Sequence, residues 1–101
     1  MLTRTAATEQ AAQAEQLARE ALALHREVGA PFAIAFGLYG LADVYSAQGR
    51  RREAVALLDE AVAIFERYPN RIGQWFAFNA RSANHQALGD KARAQEDALR
   101  G

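Results

Sequence analysis

The sequence predicts an all-α fold of antiparallel helical hairpins stacked into a short superhelical array, about five helices in all. Composition is the first reason: half of the 101 residues are apolar, 24 of them are Ala, and only seven Gly and two Pro interrupt them. The remaining Leu, Glu, Arg and Gln add helix propensity almost everywhere. Regular breaks are the second, at Gly29-Ala30-Pro31, Gly49, Tyr68-Pro69-Asn70 and Gly89-Asp90. A Gly past the last turn takes the left-handed conformation that satisfies terminal carbonyls, and Pro does not extend a helix beyond it. The third is self-similarity. A shift of 40 lays Ala14, Leu17, Glu20, Ala21 and Leu24 on Ala54, Leu57, Glu60, Ala61 and Ile64, and Phe36 and Gly49 on Phe76 and Gly89. A period of about 20 to 50 residues marks a stacked array in which no unit buries its apolar face alone.

The breaks delimit helices at roughly 8–28, 32–48, 51–67, 72–88 and 91–100. The first ends in His25, where a partly positive imidazole suits the negative end of the helix dipole. The second carries Ile34, Leu38, Leu41 and Tyr45 at helical spacing. It also carries Phe32, Phe36 and Tyr39 on another face, so it is either buried on both sides or offers one to a ligand. Gly37 and Gly40 inside it cost about 1 kcal/mol each against Ala, which implies that something approaches closely. The third helix opens on Arg50-Arg51-Arg52, against its own dipole, and continues with Leu57 or Leu58, Ala61, Ile64 and Phe65. The fourth begins with Trp75-Phe76 and Phe78. Those rings either anchor a partner, or Trp75 and Phe78 pack on the preceding helix and leave Phe76 exposed. Connections this short force neighbouring helices into hairpins.

Several function classes find no support. Twelve Lys plus Arg balance twelve Asp plus Glu, which gives no general attraction to nucleic acid or anionic lipid. No helix combines the clustered basic and amide residues that base-edge reading requires. Without Cys there are no disulfides, thiolate metal sites or cysteine nucleophiles, and a cytoplasmic location is expected. No stretch has signal-peptide or membrane-span character. His25 and His85 lie far apart and outside any metal-ligand spacing, and neither neighbours a Ser or Asp at catalytic distance. His85 is expected half buried between helices. The glycines form no phosphate-binding loop. Asp59-Glu60 and Glu96-Asp97 are adjacent in the chain, so each pair points to different helix faces and reads as solvated surface. No cofactor, metal or catalytic residue is expected.

The run Leu41-Ala42-x-x-Tyr45-x-x-x-Gly49-x-x-x-x-Ala54-x-x-x-Leu58-x-x-Ala61 resembles the tetratricopeptide repeat signature. The 40-residue period resembles the long-helix variety of bacterial signalling and regulatory proteins. On this resemblance residues 1–101 form one repeat domain: a partial unit 8–28, a full unit 32–68 whose closest match covers 35–68, and a degenerate unit 72–100. In the last, Arg81 stands where Leu is expected and His85 replaces the aromatic. About two units fall below the three or more that stacking normally needs, which suggests a partner, a second copy or a longer parent protein.

The resemblance also implies a groove. In such repeats the first helix of each unit lines the concave face. Motif matching places Phe36, Tyr39, Asp43 and Ser46 there, followed by Phe76, Asn79, Ala83 and Gln86. Family members that clamp a C-terminal carboxylate carry Lys, Arg and Asn at positions held here by Phe36, Tyr39 and Gly40, so that clamp is not expected. The expected function is a non-catalytic module binding a protein or peptide partner in an aromatic-lined groove. The alternative is a self-associating, homo-oligomeric fragment or a segment of a larger bacterial regulator.

Overall fold

Four helices follow one another in the computed structural model, which describes residues 6–89 and Leu99: α1 (Ala6–Val28), α2 (Pro31–Ala47), α3 (Arg51–Arg67) and α4 (Arg71–Ala87). The breaks act as expected. Gly29, Gly49 and Gly89 have φ of 79°, 79° and 88°, and Pro31 sits at the start of α2, where its missing N–H costs nothing. Asn70 caps α4, its side chain accepting a hydrogen bond from the Gly73 N–H at 2.9 Å. The helix expected at 91–100 lies outside the described residues apart from Leu99, as does the Glu96-Asp97 pair.

Helix α2 packs on α1, α3 and α4, and α3 packs in turn on α4. The core follows this centre. From α2 it takes Ala35, Leu38, Leu41, Ala42 and Tyr45; from α3 Ala54, Leu58, Ala61, Val62 and Phe65; from α1 Leu22; and from α4 Ala77 and Phe78. Five of these thirteen are Ala, so the helices come close and contact area replaces side-chain bulk.

Three glycines within helices have different surroundings. Phe65 is almost fully buried, and a Cβ on Gly73 would overlap its ring. Only a residue without a side chain admits α4 to that position. The close approach expected at Gly37 is present, since a Cβ there would lie 3.2 Å from His25 Cδ2 and 3.3 Å from Leu22 Cδ1 of α1. At Gly40 the expectation fails: nothing lies within 4 Å of a Cβ there. The Gly40 position looks outward from α2, and no neighbouring helix reaches it.

The basic triplet is also resolved. Arg50 donates to Glu53 through Nη2 at 2.7 Å and to Glu15 of α1 through Nη1 at 2.7 Å, while its guanidinium lies 4.0 Å from the Tyr45 ring centre. Arg19 joins the group, donating to the Tyr45 hydroxyl at 2.5 Å and to Glu15 at 3.0 Å. The cation that opens α3 against its dipole is thereby neutralised by two carboxylates. Hydrogen bonding from Arg50 lowers the Glu53 pKa. For Glu15, desolvation pulls upward, but Arg19 and Arg50 outweigh it and the net shift is downward. The adjacent Asp59 and Glu60 diverge as expected and also reach across helices, Asp59 to Arg81 of α4 at 3.0 Å and Glu60 to Arg26 of α1 at 2.9 Å.

Two outcomes are expected. In urea unfolding, Gly73→Ala lowers stability by about 1–3 kcal/mol through overpacking against Phe65, whereas Gly40→Ala raises it by about 0.5–1 kcal/mol; equal effects at both sites would show that the ring moves aside. Carboxylates with lowered native pKa stabilise above the ordinary value of 4.5 and lose that contribution as pH falls through the native values. The melting temperature of Arg50→Gln therefore lies below that of the parent at neutral pH, and the gap narrows as Glu15 and Glu53 take up protons. A gap constant with pH would rule out this coupling.

Candidate functional site

Helix α2 has two apolar faces because three helices surround it, yet one side is left partly uncovered. On that side the three rings Phe32, Phe36 and Tyr39 divide. Phe32 stacks on Phe65 at 6.2 Å and Phe36 meets its edge at 5.2 Å, each with its outer side exposed. Tyr39 turns instead toward α4, where its ring lies 5.7 Å from that of Phe76 at an interplanar angle of 60°. Trp75 continues this row with an edge contact to Phe76 at 5.0 Å. At the start of α4, Phe78 is core at 6% exposure, while Trp75 and Phe76 remain 51% and 39% exposed.

These rings form one end of a pocket of about 410 Å3 between α2 and α4, a size within the range of ligand clefts. Its lining includes the apolar side chains Ala42, Leu58 and Ala80, with Asp43 and Ser46 on α2 and Asn79, Ala83 and Asn84 on α4. Arg51, at the start of α3, lines it as well. The end near Arg51 is polar and internally bonded. Ser46 Oγ is 2.9 Å from both the Ala42 carbonyl and Asn84 Oδ1, and donates its one proton to either. Asn84 Oδ1 also accepts from Arg51 Nη1 at 3.4 Å, and Asn84 Nδ2 donates to the Ala80 carbonyl at 2.8 Å. Asn84 is buried, so these bonds hold it in place.

Of the eight residues singled out in the sequence, the pocket brings together Tyr39, Asp43, Ser46, Phe76, Asn79 and Ala83. Phe36 sits outside it against Phe65, and Gln86 is exposed and does not line it. The contacts across the groove join residues fewer than forty apart: Tyr39 meets Phe76, and Ser46 meets Asn84. Asn84, Arg51 and Trp75 are lining residues outside the sequence-derived set. Trp75 is the anchor that the start of α4 offers in the sequence. The asparagine carried no signal beyond its place two residues before Gln86.

His25 flanks α2 at Gly37, and His85 is buried rather than half buried. Among the described residues no group of three or more His, Cys, Asp or Glu is placed to hold a metal ion. No helix among them is long and apolar enough to cross a membrane.

The family model for the tetratricopeptide repeat matches residues 5–67, which take in α1, α2 and α3 and stop short of α4. Comparison with curated proteins and with solved structures finds no match. Such repeats are generally protein-interaction modules. The match spans well over half of the chain, and the stacked hairpins around α2 agree with it: the chain belongs to the tetratricopeptide repeat family.

Proposed function

We propose that this chain is a non-catalytic interaction module that receives a peptide or helix of a protein partner between α2 and α4. The observation that carries the reading is the pocket itself. Six groove positions chosen from the repeat register line one cavity, and Trp75, Phe76 and the partly buried Tyr39 supply it with aromatic surface. Partly exposed aromatic side chains offer large apolar area at low entropic cost, and such groups dominate interface energies. Asp43 and Asn79, exposed on the two walls, would orient the bound segment. In this reading the helices divide into a partial unit at 8–28, a full unit at 32–68 and a degenerate unit from 72, and neither nucleic acid nor membrane is a partner.

A second reading, self-association, is favoured by the outer face of α1. Leu17 and Leu24 are 66% and 61% exposed there, with Val28 beside them. Shifted by forty positions they fall on Leu57 and Ile64, which pack against the core from α3. The outer face of α1 thus has the pattern of a packing face on which no other described helix lies, and a second copy would cover it.

Peptides selected from a displayed library against the parent chain are expected to lose at least about tenfold in affinity to Tyr39→Ala with Phe76→Ala, by calorimetry. Circular dichroism is expected to show unchanged helix content. Undiminished binding would refute the groove, and loss of helix would assign the two rings to the core. For the second reading, light scattering over a hundredfold concentration range would show a dimer that Leu17→Glu with Leu24→Glu abolishes; a concentration-independent monomer would dismiss it.

A further inference from the structure

The pocket is not merely apolar, and its charges say which side chain it suits. Asp43 supplies the one carboxylate among the lining residues. It stands one helical turn from Tyr39 on the same face of α2, is exposed, and forms no hydrogen bond or ion pair with any described residue. It also lies near the C-terminal, negative end of α2, whose last turn holds no basic residue, so the helix dipole opposes its charge. Beside it, the faces of Tyr39 and Phe76 are inclined to each other, and Trp75 stands at 81° to Phe76. All three rings line the pocket and are partly exposed, and a cation held by both an aromatic ring and a carboxylate gains from each.

We infer that the aromatic end of this pocket takes a cationic side chain, arginine or lysine, from an otherwise apolar segment of the partner protein. The inference rests on the groove reading above and narrows it to a chemical class. Charge complementarity selects this occupant. A partner carboxylate at the same place would face Asp43 and the π-faces together, and both repel it. The lone lining cation, Arg51, lies with Ser46 and Asn84, is drawn toward Asn84 Oδ1 and makes no ion pair with Asp43. The cationic side chain fits at the ring end and is disfavoured beside Arg51, which gives the bound segment a direction. Its apolar neighbours would lie over the Ala83 side of the groove, where no charge needs a partner.

The chain has a single Trp, and that residue, Trp75, lines the pocket, so its fluorescence reports occupancy directly. The probes are four capped pentapeptides with two leucines flanking a central arginine, lysine, citrulline or glutamate. Citrulline keeps the shape of arginine without its charge. The arginine and lysine peptides are expected to bind about tenfold more tightly than the citrulline peptide, a difference of about 1.4 kcal/mol, and the glutamate peptide more weakly still. Asp43→Asn is expected to shrink the gap between arginine and citrulline several-fold, whatever it does to the affinity for the citrulline peptide itself. Equal affinities for arginine and citrulline, or tighter binding of glutamate, would overturn the cation preference while the groove stands. No response of Trp75 to any of the four would overturn the groove along with it.

Discussion

Phe65 projects from α3 into a space that exists only because position 73 carries no side chain, and this insertion sets how closely α3 and α4 approach. The same ring supports Phe32 and Phe36 of α2, so one aromatic fixes the positions of three helices at once. A tightly packed interior transmits such a constraint because few voids absorb a displacement. The separation of α2 and α4 at their start, and with it the mouth of the pocket, follows from how deeply that ring sits. At the far ends of these helices, the Ser46–Asn84 contact performs the corresponding task with hydrogen bonds.

The uneven covering of α2 has a functional consequence. Phe32 and Phe36 rest on Phe65 of α3 and Tyr45 lies under Arg50, while Tyr39 alone of the α2 rings meets a ring of α4. The furrow between α2 and α4 is thus lined by Tyr39, Phe76 and Trp75 at one end and by Ala42, Ala80 and Ala83 beside them. Arg50 secures the arrangement from behind. By bonding Glu15, Glu53 and Gln48 while lying over Tyr45, it ties α1 to the turn between α2 and α3 without taking part in the furrow. The basic triplet is thus divided: its first member stabilises the scaffold, and its second, Arg51, polarises one end of the pocket.

What could be read in the sequence was whatever depends on local chemistry. Gly29, Gly49 and Gly89 announce helix ends because a left-handed cap favours glycine wherever the helix lies. Tyr39, Phe76 and Asp43 could be assigned to the groove because the repeat signature orients helix faces. Whatever depends on a neighbouring helix was less accessible. Gly73 carries no local signal, since the reason for it is a ring on α3. Gly40 looked like a contact point and is open on its outer side. Gln86 follows from matching positions between repeats, whereas contact across a groove depends on the offset between the helices, which brings Asn84 to Ser46 instead. The role of Arg50 required knowing that α1 brings Glu15 alongside it.

The most direct measurement is an amide chemical-shift map of the chain with a peptide selected for binding. Shifts are expected at residues 39–46 and 75–84, on the two walls of the pocket, with Leu17, Leu24 and the rest of the outer face of α1 unchanged. Perturbation confined to α1, with the α2 and α4 walls silent at saturation, would contradict the groove and place recognition on the other apolar face of the molecule.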